Sequence, residues 1–450
     1  MLTPDSVSQL RSTPDRLAPA EVDRLSRAAG LLRRAEKPVR ILRAVAWPAG
    51  TAERFFAAGA RELPQVSYTP LDAAPVHEGV AAARALIDGA GPVQDWLRRT
   101  ADVIAAGADM LAAIGTPDFF KHSLTLYGSP QSDLLGCDVC PLDLAHTLDS
   151  VLSAFTNLDV ALPGEQREPE TPPIGAEDLA ARMRVVLGRY FGDVAPDVQV
   201  VPTLSAKALA GAKYIRLRGD AVFSDRDLAQ LIQHEAFVHI GTSLNGAQQT
   251  AFPILGAGHA GTTRTQEGLA VFAELISGAM DPTRLLRLAD RVIAIQMAMD
   301  GADFLQLFAF FRARTKTPAE AFENARRVVR GGVLTGGAPF TKDSVYLEGL
   351  VRVHNFLRIA VQETRVDCIR LLFAGKIDIE DMPAVTALAA QGLCTQPRFL
   401  PPWAKDLRFL VSYIAYSSFL NRMHLDKVRD HYKDLLNNCA KDTLAPTGPG

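Results

Sequence analysis

Hydrophobic residues recur at helical spacing along most of the chain. Between Ala20 and Arg34, the residues Val22, Leu25, Ala28, Leu31 and Leu32 fall on one face. Gly79–Asp88 and Gln94–Ile114 repeat the pattern, so residues 1–163 are expected to form a mostly helical region. The pattern stops at Gly164–Pro173, a polar stretch with Pro169, Pro172 and Pro173. Proline removes backbone donors and breaks both helices and central strands, which makes 164–175 an expected exposed linker. Beyond it, Glu177–Phe191 is amphipathic. Val198–Val201 and Tyr214–Leu217 carry the β-branched or alternating residues of short strands. Ser224, followed by Asp227, has the spacing of a capping box opening a helix that runs toward His239. From Gly268 onward nearly everything is helical. The expected fold class is α+β, predominantly α, with a small sheet and a long second domain over 176–450. No internal repeat is visible.

Composition adds exclusions. The chain has 450 residues, with 48 Lys and Arg against 50 Asp and Glu, a net charge of -2. That balance disfavours a dedicated nucleic-acid binder, which gains affinity by neutralising phosphates. Five scattered cysteines do not read as a disulfide framework. Met1–Arg16 lacks the apolar core of a signal peptide, and no apolar run reaches the roughly 18 residues that span a bilayer. The expectation is a cytoplasmic protein with no membrane or nucleic-acid partner. Its oligomeric state is not readable. Cys137 and Cys140 have metal or redox spacing but no second pair, and they are expected to be reduced thiols.

The sharpest chemical feature is His234-Glu235-Ala236-Phe237-Val238-His239. Zinc peptidases commonly space two histidines by four residues, which aligns them on a helix. Here the spacing is five, and on a regular α-helix that separates the side chains by about 140°. A π-bulge would restore a shared face, or the helix would end, with Gly241 as a possible stop. Catalytic zinc needs a third protein ligand and an open position. His259, Glu267 and Glu274 are the candidates downstream. Glu267 is preferred because a helix holds a ligand more firmly than the glycine-rich loop around His259, and Gly268 beside it permits close backbone approach. Glu274 is then a supporting partner of the ligands or a solvated charge.

The string Thr265-Gln266-Glu267-Gly268-Leu269-Ala270 resembles the signature of the bacterial QEGLA-motif family, often labelled flavohaemoglobin expression modulators. That family is similar to the eukaryotic microtubule-associated tyrosine carboxypeptidases. The His-Glu-x-x-x-His helix fits it, as do Arg330-Gly331-Gly332, Phe340-Thr341-Lys342-Asp343, Tyr346-Leu347, Gly349 and Tyr127-Gly128. The resemblance implies a zincin-like metallopeptidase core with Zn2+ on His234, His239 and Glu267.

On that reading Glu235 is the general base acting on a metal-activated water. Tyr346 is expected to donate to the oxyanion, and the strand Tyr214–Leu217 to border the cleft and pair with substrate. The expected substrate is a peptide or protein C-terminus, with release of a terminal residue, an aromatic one among the candidates. Phe311–Lys342 carries seven basic and two acidic residues. Within it, Arg330 and Lys342 are expected to bind the terminal carboxylate, beside a flexible rim formed by Gly331, Gly332, Gly336 and Gly337. Two other readings remain: a peptidase or amidase that processes a biosynthetic peptide, and a zinc-binding regulatory scaffold without turnover.

Overall fold

A computed structural model describes residues 16–136, 138–153, 173–202, 204, 207–211, 213–420, 429, 432 and 433. Cys137 and most of the expected linker lie outside them.

Helices dominate, and a three-stranded sheet sits among them. The strands are β1 (Asp197–Val201), β2 (Ala208–Ala210) and β3 (Tyr214–Arg218). Their order is β1-β3-β2, with β1 parallel and β2 antiparallel to β3. The strand expected to border the cleft, Tyr214–Leu217, is therefore the central one, with both edges already paired. Its alternating burial, with Ile215 and Leu217 at 0% exposure, is that of a strand packed on one face. The edge nearest the chemistry is β2, whose Ala-Leu-Ala sequence has no β-branched residue to announce it.

The main apolar core crosses the expected domain boundary. Leu25, Leu32, Trp96 and Leu97 from the N-terminal helices pack in one cluster with Val238, Phe252, Leu269, Phe272 and Val353. The N-terminal helices thus buttress the helices that carry the candidate ligands. A second cluster joins the Ala176–Phe191 helix, the sheet and Phe237. Trp47, Phe55, Phe304, Phe311 and Phe322 build a third, aromatic core. Among the described residues no helix is long and apolar enough to cross a membrane.

Candidate metal centre

The Ser224 capping box is formed. Ser224 Oγ accepts from the Asp227 amide at 3.1 Å, and Asp227 Oδ2 accepts from the Ser224 amide at 2.9 Å. It opens the helix Asp225–Leu231, which passes directly into a π-helix, Ile232–Ile240. The widened turn brings His234 and His239 to one side, with ring centroids 4.9 Å apart. Gly241 does not end the helix, which continues as Gly241–Gly246. Widening disturbs the regular ladder, and side chains satisfy carbonyls at its end. The His239 carbonyl accepts from Ser243 Oγ at 2.7 Å and Lys376 Nζ at 2.9 Å.

Glu267 comes from the helix Ala260–Ile276. Its Oε2 lies 3.5 Å from Nε2 of His234 and 3.5 Å from Nε2 of His239. All three ligand atoms lie within 4.8 Å of one another. Gly268 is what lets this helix come in. A Cβ there would collide with the carbonyl of Gly349 on the Val345–Gln362 helix, so the two backbones touch only because both positions are glycine.

Further partners orient the ligands. His234 Nδ1 is 2.6 Å from Glu274 Oε1, leaving Nε2 to face Glu267. Glu274 is fully buried and saturated: Arg284 donates to both its oxygens at 2.9 Å, and Gln230 adds a bond at 3.2 Å. Burial alone would raise the Glu274 pKa, but the charge and hydrogen bonds of Arg284 and the contact with His234 hold it below the usual carboxylate range. Burial likewise opposes ionisation of Glu267. Lys342 and the two histidines outweigh it and keep that carboxyl ionised. Burial also disfavours charge on His234, yet the nearby carboxylates of Glu267 and Glu274 push its pKa up to about 10. Burial pushes the His239 pKa down in spite of its contact with Glu267, so the two imidazoles are driven in opposite directions.

The fit to a metal is good. Glu267 Oε2 is a buried carboxylate oxygen with no hydrogen-bond partner, and a group of that kind is costly to leave unpaired. In a tetrahedron with bonds of about 2.0–2.1 Å, ligand atoms stand about 3.3–3.4 Å apart, close to the two 3.5 Å separations here. Two imidazoles and a carboxylate form a donor set suited to zinc, and the His234–Glu274 pair is the usual outer support of a ligating histidine. The family profile described as microtubule-associated tyrosine carboxypeptidase matches residues 53–422. The chain belongs to that family. The match takes in the helix Pro92–Ala112 and the ligand helices, which share a core, and begins after the helix Pro19–Glu36 that packs into the same core. A search of curated proteins returned no match.

The other expected site residues fall as follows. Glu235 is half-buried, and its Oε2 accepts from the Ala210 amide on β2 at 3.2 Å. Lys342 does not stand free for a substrate carboxylate. Its Nζ donates to Glu267 Oε1 at 2.9 Å, because the turn carrying it is pinned next to Glu267 by Arg327 on Asp343 at 2.7 Å. Arg330 is buried at 8% exposure and lies across the Phe340 ring, 5.8 Å away, outside the wall of the cavity described below. Tyr346 is also buried and outside that wall, with Lys342 Nζ 5.1 Å from its ring.

Of the glycines expected at a flexible rim, Gly331, Gly332 and Gly336 are tightly packed and Gly337 is open. Gly331, at φ 81°, has room only for hydrogen against Phe119 and Val45, and its amide donates to Tyr68 Oη at 2.8 Å. The basic excess of Phe311–Lys342 is largely consumed inside the fold, by Arg314 on Asp290, Arg326 on Glu323, Arg327 on Asp343 and Lys342 on Glu267. His259, the alternative ligand, lies outside the cluster with its Nδ1 buried and unpartnered. Cys140 caps the helix Pro141–Leu152, its amide donating to Asp143 Oδ2 at 2.9 Å.

Sequence reasoning passed over Tyr127 as a site residue and missed Gln266 and Lys376. All three line a cavity of about 530 Å³ that also takes in His239 and Glu267. The cavity opens on the His239 side of the cluster, where that side chain is 19% exposed against 7% for His234. Gln266 was visible inside its motif, whereas nothing in sequence ties Lys376 to a histidine 137 residues earlier.

Proposed function

We propose that the protein is a zinc-dependent carboxypeptidase with a zincin-like core. The observation that carries this reading is the unpartnered Glu267 Oε2, equidistant from the two imidazoles. The ligands would be His234, His239 and Glu267. Bound zinc supplies Lewis acidity and lowers the pKa of water toward neutrality.

Glu235 takes the water proton and returns it to the leaving amine. The Ala210 amide holds its carboxylate by one oxygen, which restrains it beside the edge strand without neutralising it. That edge, rather than the central strand, is where an extended peptide would lie. Lys342 acts as a positioning residue: by holding Oε1 of Glu267 it turns Oε2 toward the histidines. A cavity of about 530 Å³ suits the last residue of a peptide with its side chain. The family's name couples carboxypeptidase activity to tyrosine, so an aromatic C-terminal residue is the first substrate to try.

The test is incubation of the purified chain with a peptide library, with and without chelator, reading the product masses. Stepwise loss of single C-terminal residues, abolished by chelator and by Glu235→Gln with zinc still bound, is the expected result. Turnover that survives in Glu235→Gln removes that residue from the mechanism. Stoichiometric zinc without any cleavage points to a scaffold.

A further inference from the structure

A peptidase acting at a chain end needs a cation for the terminal carboxylate. With Lys342 committed to Glu267 and Arg330 buried against the Phe340 ring, neither residue expected from the sequence stands free to supply it. Of the other cations on the wall, Arg33 and Arg40 pair with Glu36, at 2.7 and 3.4 Å, and Arg43 stands exposed at the mouth.

Lys376 is different. Its Nζ donates to the His239 carbonyl at 2.9 Å and to Gln266 Oε1 at 3.1 Å, both neutral acceptors. It has no ion pair among the described residues. An ammonium has three donors, so one remains. Because an ammonium can only donate, Lys376 fixes the Gln266 amide with Oε1 toward it, and Thr242 Oγ1 lies 2.9 Å from the same oxygen. The Gln266 Nε2 on its other side has no partner. The Glu267 and Glu235 carboxylates act on Lys376 through space, but both groups it hydrogen-bonds are neutral, so this partly buried cation keeps a donor for an anion next to an unsatisfied amide donor. Both side chains line the same cavity as His239 and Glu267.

We infer that Lys376 receives the terminal carboxylate of the peptide substrate and so makes the site specific for chain ends. This rests on the peptidase reading above. A purely structural role for Lys376, satisfying the carbonyl left at the end of the π-helix, would not depend on the charge of the substrate terminus.

The test compares N-acetyl-phenylalanyl-tyrosine with its C-terminal amide. Binding is measured by calorimetry on the zinc-loaded full chain carrying Glu235→Gln, and hydrolysis of the library is measured separately on the wild-type chain. The free acid is expected to bind about 10- to 100-fold more tightly than the amide, the range of a charge-assisted hydrogen bond. Adding Lys376→Met should bring the two ligands within about threefold, and Lys376→Arg should keep part of the preference. Zinc content and melting temperature are checked in each variant, with Lys376→Gln in reserve if the Met variant does not fold. Equal binding of acid and amide, or a preference that survives Lys376→Met, overturns the inference. Absence of hydrolysis by the wild-type chain overturns the peptidase reading instead, and the binding comparison still judges Lys376.

Discussion

Glu267 and Glu274 sit two turns apart on one helix and face the same histidine, yet their surroundings are finished in opposite ways. Around Glu274 every demand is met: Arg284 takes both oxygens, His234 and Gln230 share Oε1, and no solvent reaches the side chain. Around Glu267 only one oxygen is held, by Lys342, and the other points unpaired between two imidazoles. A saturated carboxylate orients its neighbour, while a half-satisfied one keeps an oxygen that can act as a ligand. This difference in hydrogen-bond completeness separates a candidate ligand from its support, although both are glutamates of one helix next to His234.

The most severe way to break the comparison is Glu267→Ala. Removing one of three protein ligands should cost at least about 10³-fold in zinc affinity, read by competition with a chelator of known strength. Full occupancy would transfer the third ligand to Glu274 or His259.

Gly268→Ala comes next. It forces apart the backbones at Gly349 and should destabilise the fold by about 3 kcal/mol, measured by denaturant unfolding. An unaltered midpoint would mean that the helix carrying Glu267 is not set by that contact.

Glu274→Gln should lower zinc affinity by about 10- to 100-fold, the usual effect of losing a ligand's outer partner. It should also leave Arg284 buried without its carboxylate. If it abolishes zinc binding as thoroughly as Glu267→Ala does, the distinction between the two glutamates collapses.

The smallest effect lies outside the pair. Burial lowers the His259 pKa to about 4, against an opposing pull from Asp378 and a further push from Arg33. A histidine depressed in the fold stays neutral while the unfolded chain takes up a proton near pH 6.5. Stability should therefore fall as pH drops from about 6.5 to 4, by on the order of 1–2 kcal/mol at pH 5 relative to pH 7. His259→Gln should flatten that part of the acid limb, and an unchanged slope would mean that His259 is not held neutral.

Much of the site was legible because its signals are local. The five-residue spacing of His234 and His239 required a helix that widens or ends between them, and the π-helix Ile232–Ile240 is the widened form. Ser224 with Asp227 marked the start of that helix, and Gly268 marked a close approach. Charge counts were a poorer guide. Arg327 and Lys342 added to an apparent basic surface, but the fold returns Asp343 and Glu267 to them from other segments. The strand β2 escaped notice because three apolar residues, Ala208, Leu209 and Ala210, have no alternation to show, and it becomes a strand only by pairing with β3.

The sequence by itself determined which residues sit on the ligand helices, and with them the type of donor set and the irregular turn between the histidines. These follow from periodicity and spacing within a few residues. Only the tertiary structure decided which carboxylate oxygen is left unpaired, which cation is already neutralised, and that Lys376 meets His239. Those outcomes depend on partners far apart in sequence, brought together by a core that the N-terminal helices share with the metal-site helices.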